Sequence, residues 1–174
     1  MGREDAPSQN DINTAVDGLV DIVLEKPWKN LKEYVKARLD EAVVELRLAL
    51  VLLAEGYTRN AAGKAFQAFK SYLAAVAGEQ RDKLAASFKD VDRIIAYMPT
   101  RAVAKISSTL GLEREGRIAL ALHQYQYNGP DPEGVMSLYP DRESAKNDIC
   151  WLAKRLMELI GTEIDTYIKV CNST

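Results

Sequence analysis

The sequence predicts an all-α protein, an antiparallel up-and-down helical bundle, on three observations. Apolar residues recur at three- and four-residue intervals along almost the whole chain, the mark of amphipathic helices. No run alternates apolar and polar side chains for long enough to make a strand, and no internal repeat is present. The breaks between helical stretches fall at Gly and Pro, which end helices. The length of 174 residues fits one ordinary domain, able to bury about 70% of the unfolded surface in a single core.

Each element follows from this pattern. Residues 1–10 are polar, contain Gly and Pro, and are expected to form a frayed arm ahead of a single domain over 11–174. Ile12, Ala15, Val16, Leu19, Val20 and Val23 predict a first helix from Asp11 to Glu25. Pro27 suits the first position of a second helix, Trp28 to Glu55, which Gly56 ends. Thr58 is expected to cap a third, with a spine of Ala62, Ala65, Phe66, Phe69, Tyr72, Leu73 and Val76. Gly78 either ends that helix or is tolerated inside one reaching Pro99. A short helix, Thr100 to Leu110, stops at Gly111, and another runs from Leu112 to the Asn128-Gly129-Pro130 stop. Residues Ile118 to Leu122 are apolar on every side and predict that this helix is central. After a Pro-rich loop a last helix covers Arg142 to Val170.

Composition excludes several functions. With 23 basic and 25 acidic side chains the net charge is −2, which argues against a large basic face for duplex DNA. A small RNA or nucleotide site stays open. The apolar run Leu48–Ala54 is far short of a bilayer span, and no signal-peptide pattern is evident, so a cytoplasmic protein without membrane contact is expected. Cys150 and Cys171 support that compartment. On one continuous helix they would stand roughly 30 Å apart, too far for a disulfide. With one histidine in the chain a Cys/His zinc site lacks ligands, so no metal and no cofactor is expected.

Two places can carry chemistry. His123, Tyr125 and Tyr127 arrive at the end of the helix closed by Gly129. The carbonyls of a last turn favour the imidazolium and raise its pKa, and a histidine poised near neutrality moves protons. Arg114 or Arg117 could hold a phosphate. The plainer reading is a histidine tucked under the following loop. The second place is `YTRNAAGK`, where Arg59, Asn60 and Lys64 sit in the first turns of a helix, near N–H groups that attract anions. The plainer reading there is close helix packing over Ala61, Ala62, Gly63 and Ala65. `AAGKAF` lacks the glycines and the Lys-Ser/Thr ending of a P-loop.

The segment `EGYTRNAAGKAFQAFKSYLAAVAG` resembles the second bundle helix of HEPN domains. Together with `LALHQYQYNGPDP` it resembles the archaeal PaREP family, which is HEPN-like, over most of residues 28–170. The resemblance implies a HEPN-type bundle. It also implies a metal-independent endoribonuclease of the toxin type, in which a homodimer brings two Arg-and-His motifs into one cleft and leaves a cyclic phosphate. Arg117, five intervening residues, His123, Gln124 and Tyr125 fit that motif. His123 would then be the acid/base, Arg117 the phosphate ligand and Tyr125 a positioning group, or the residue that a small nucleotidyltransferase antitoxin adenylylates. Arg59, Asn60, Lys64, Arg114, Gln124 and Asn128 are the candidates for nucleotide or RNA contact.

Ile118 stands where active members carry a polar residue, commonly Asn, and the spacing is one residue longer than in the tyrosine subgroup. Six positions on a helix turn about 600°, so Arg117 and His123 point some 120° apart. Arg117 shares a polar stripe with Arg114, Gln124 and Asn128, and His123 shares a face with Gly116, Ala119, Leu120 and Tyr127. Two readings follow. A dimeric ribonuclease predicts an accessible His123 facing its twofold mate. A non-catalytic module, binding a nucleotide, RNA or a protein such as a nucleotidyltransferase, predicts a buried one.

Overall fold

Asn30 opens the first long helix by accepting the backbone N–H of Glu33 on its side-chain oxygen. The computed structural model describes residues 23–172. Among them are eight helices and no strand: α1 (Leu31–Ala54), α2 (Thr58–Glu79), α3 (Arg81–Ala85), α4 (Val91–Tyr97), α5 (Thr100–Thr109), α6 (Glu113–Asn128), α7 (Arg142–Ile160) and α8 (Asp165–Cys171). The expected arm and the helix from Asp11 lie outside the described residues, apart from Val23 to Glu25, which are not helical. Pro27 does not start a helix: Pro27 to Lys29 form a turn, and the chain becomes helical after Asn30.

The hairpin of α1 and α2 is the spine of the bundle, and α2 is its centre. Fifteen of the 22 residues of α2 are buried, so it is surrounded by α1, α5, α6 and α7. The expectation that Leu112 to Asn128 is the central helix is therefore corrected. Ile118 and Leu120 of α6 remain half-exposed, because α6 covers α2 and is not itself enclosed. Small residues make the close approach feasible. A Cβ on Gly63 would lie 2.5 Å from the end of the Gln126 side chain, which would have to swing aside for any larger residue there. Gly78 sits inside the last turn of α2, and the stretch to Pro99 breaks into α3 and α4. Thr58 is the first helical residue, not the cap, and its hydroxyl accepts a hydrogen bond from Arg142 Nε.

The last helix is corrected most. It stops at Ile160, because Gly161 adopts a left-handed conformation with φ of 77° and its N–H bonds to Met157. The chain turns back as α8, which lies against α1 and α7. Cys171 returns to Cys150, the two Cα atoms stand 5.6 Å apart, and the sulfurs form a disulfide. The two cysteines therefore give no sign of a reducing compartment. Among the described residues no helix is long and apolar enough to cross a membrane.

Candidate functional site

The C-terminal end of α6 is built from three segments. Gly129 ends the helix with φ of 67°, and Arg59 at the start of α2 reaches across to it. The Arg59 guanidinium donates from Nε to the carbonyl of Gln126 at 3.0 Å and from a terminal nitrogen to that of Tyr127. This explains a cation in the first turn of a helix, where the dipole disfavours it: Arg59 serves the negative end of α6. Asn128 donates from Nδ2 to the carbonyl of Met136 at 2.7 Å and so ties the following loop to the helix.

That loop is ordered by Asp131. Its carboxylate accepts the backbone N–H groups of Glu133, Gly134, Met136 and Ser137. Those bonds, led by Met136, hold its pKa below the ordinary carboxylate value. With its polar groups engaged, the loop turns Val135, Met136 and Leu138 to solvent, at the same end of the bundle as exposed Tyr57 and Tyr127.

His123 lies half-buried against α2. Its ring stacks on Phe66 with centroids 4.2 Å apart and meets the edge of Tyr127 at 5.3 Å. Nδ1 is enclosed and has no hydrogen-bond partner among the described residues. Burial pushes the imidazole below 6.5, a hydrogen-bonding Gln126 side chain opposes this, and the charge of Lys70 adds to it. The direction is opposite to the one expected for a histidine at a helix end. The physical reason is that Arg59 already occupies the last carbonyls, while Phe66 removes water from the ring.

The other candidates are spread around the helix. Arg117 is exposed and paired with Glu113 at 2.6 Å. Arg114 lies over the Trp151 ring at 4.5 Å from its centroid. Lys64 pairs with Glu45 at 2.9 Å. Gln124 is exposed, and Asn60 joins Arg59, Gln126 and Tyr127 around a pocket of about 370 Å³. Tyr125 is 1% exposed and meets Tyr139 edge-on at 5.6 Å. Burial raises its pKa. The structure thus gathers Arg59, Asn60 and Asn128 with His123 at one end, and leaves Arg117 and Arg114 on other faces of α6. A larger cavity of about 550 Å³, lined by Pro27, Trp28, Leu31, Gly78 and Ile95 among others, lies at the opposite end of the α1–α2 hairpin and holds none of these residues.

Three residues that shape the site were not selected from the sequence. Phe66 enters the sequence reading only as part of a spine, and Gln126 only within the quoted segment `LALHQYQYNGPDP`. Asp131, followed three places later by Gly, carried an Asx-turn signal that could have marked an ordered loop. Among the described residues no group of three or more His, Cys, Asp and Glu could hold a metal ion.

The fold and this helix end define a small all-α bundle protein with one half-buried histidine beside an ordered apolar loop. The model of the Archaeal PaREP1/PaREP8 family matches residues 37–150, from the first turns of α1 to Cys150 in α7. The chain belongs to that family. No curated protein and no solved structure matches it.

Proposed function

We propose that this chain is a HEPN-like, non-catalytic interaction module that works as a homodimer through the end of the bundle where α6 stops. One observation carries the reading: each cation selected as an anion ligand already has a partner within the fold. Arg59 binds two carbonyls, Lys64 binds Glu45, Arg117 binds Glu113 and Arg114 covers Trp151. An RNA phosphate would have to displace these contacts. His123, with a lowered pKa and an enclosed Nδ1, is poorly set to deliver a proton at neutral pH. Tyr125 is in the core, which leaves a nucleotidyltransferase no hydroxyl to modify there unless the loop opens.

The surface chemistry supports protein contact over nucleic acid. Tyr57, Tyr127, Val135, Met136 and Leu138 are exposed at one end, on backbone held in place by Asp131, Asn128 and Arg59. Aromatic residues and Met on ordered backbone are the composition of a protein interface.

Two assays test this. In sedimentation equilibrium the protein is expected at twice its chain mass, and Leu138→Glu at one chain mass with unchanged circular dichroism. A wild type that stays monomeric at high concentration overturns the dimer. Mixed-sequence RNA in EDTA is expected to survive incubation. Cleavage leaving 2′,3′-cyclic phosphate ends, abolished by both His123→Ala and Arg117→Ala, would replace this reading with a metal-independent ribonuclease.

A further inference from the structure

We propose that the Cys150–Cys171 disulfide is a redox-controlled clasp: a dithiol reductant that opens it frees the C-terminal helix α8 from the bundle and uncovers the faces of α1 and α7 beneath. The inference starts from how little of α8 is buried. It has seven residues, and none of them is buried. A helix that short does not hold together on its own in water. Tyr167, Val170 and Cys171 touch the core only along a half-buried edge, and Ile168 points to solvent. Ile164, just before the helix, is the one well-buried apolar anchor of the segment.

The geometry suits a clasp. Cys150 sits in the body of α7, which is bound into the core through Ile149, Leu152, Ala153 and Leu156. Cys171 sits at the last position of α8. The chain between them folds back at Gly161, whose positive φ is at home in a glycine, and runs without helix from 162 to 164. Opening the bridge therefore leaves α8 joined to α7 only through the turn at Gly161. Both cysteines are half-buried rather than sealed, so a small reagent can reach them. Cys150 is also the last residue of the family match, so the clasp ties the family region to the segment that follows it.

The chemistry balances as thiol–disulfide exchange. A thiolate of the dithiol attacks one sulfur and the Cys150–Cys171 bond breaks. The second thiolate of the reagent attacks the mixed disulfide and expels the remaining protein sulfur as thiolate, and after protonation two protein thiols and an oxidised, cyclic disulfide remain. Two electrons pass from the dithiol to the protein. Removing a link that closes a loop of this size raises the population of the open segment on the order of a hundredfold.

The test uses the whole chain, purified without reductant. Alkylation with iodoacetamide after denaturation is expected to add no label before reduction and two labels after dithiothreitol. Two labels without reductant would mean that the bridge is absent, which overturns the proposal. Hydrogen exchange followed by mass spectrometry is expected to show amides of α8 exchanging roughly a hundredfold faster after reduction, with α2 and α6 unchanged. Cys171→Ser should reproduce that pattern with no reductant present. Unchanged exchange in α8 would show that the helix is held without the bridge, and equal acceleration in α2 would show that the bridge stabilises the whole bundle. Either result overturns the local clasp.

Discussion

Gly116 of α6 and Ser107 of α5 meet so closely that a Cβ on Gly116 would lie 2.5 Å from the serine Oγ and 2.6 Å from its Cβ. Ser107 is 1% exposed and its hydroxyl has no hydrogen-bond partner among the described residues. Because the overlap reaches Cβ, a side-chain rotation cannot relieve it, and α5 must move. Such overpacking costs about 1–3 kcal/mol. The gain of roughly 1 kcal/mol from replacing a helical glycine offsets part of that. Gly116→Ala is therefore expected to lower the urea-unfolding midpoint, and an unchanged midpoint would mean that α5 yields freely. Ser107→Ala is expected to be neutral or stabilising, since it removes an unsatisfied hydroxyl and no bond.

His123 is the sole histidine, so its ring protons can be followed by NMR without assignment. The expected midpoint lies below 6.5, because burial against Phe66 favours the neutral ring. The consequence for stability has a definite sign. An unfolded histidine binds its proton first as pH falls, so the stabilisation from the neutral native ring is complete above 6.5 and is lost as pH falls through the lower native value. Unfolding at pH 7.5 should require more urea than at pH 5.5, and Phe66→Ala should move the NMR midpoint back up. A wild-type midpoint above 6.5 would restore the charged, proton-donating histidine that its position at a helix end suggests.

The sequence made the order of the helices legible, because their stops are stereochemical. Gly56, Gly111 and Gly129 all have positive φ, a conformation that other residues adopt at a cost, and each closes a helix where the pattern said it would. Gly161 has the same conformation but was hidden, since apolar residues continue in helical phase on both sides of it and glycine is tolerated inside helices. The disulfide depended on that one turn and was hidden with it. The surroundings of His123 were illegible for a different reason. Periodicity assigned its face to the interior, but the ring's charge state depends on Phe66 and Lys70 in α2 and on where Arg59 sends its guanidinium. Those are tertiary facts between segments far apart in sequence.

Arg59 distinguishes a helix cap from an anion ligand. If it holds the Gln126 and Tyr127 carbonyls, Arg59→Ala removes two charge-assisted hydrogen bonds from the end of α6 and costs about 1 kcal/mol at this exposed site. The loss should appear as a lower thermal midpoint with no ligand present, and amides near Gly129 should exchange faster. An Arg59→Ala protein as stable as wild type would leave the guanidinium available for a phosphate.

Glu115 and Arg155 join α6 to α7 across the bundle. The Glu115 side chain is 9% exposed and accepts from Arg155 Nε at 2.8 Å, while Arg155 is 40% exposed and also approaches Glu158. Removing the arginine strands a carboxylate that water barely reaches, whereas removing both groups strands nothing. Screening at the arginine end reduces the cost below that of a fully buried pair. Arg155→Met is expected to destabilise by roughly 1–2 kcal/mol, and Glu115→Leu in the same chain should recover most of the loss. A double-mutant cycle in urea measures the coupling directly. If the two single losses simply add, the contact contributes nothing between the helices, and the α6–α7 seam rests on its other contacts, Arg114 over Trp151 among them.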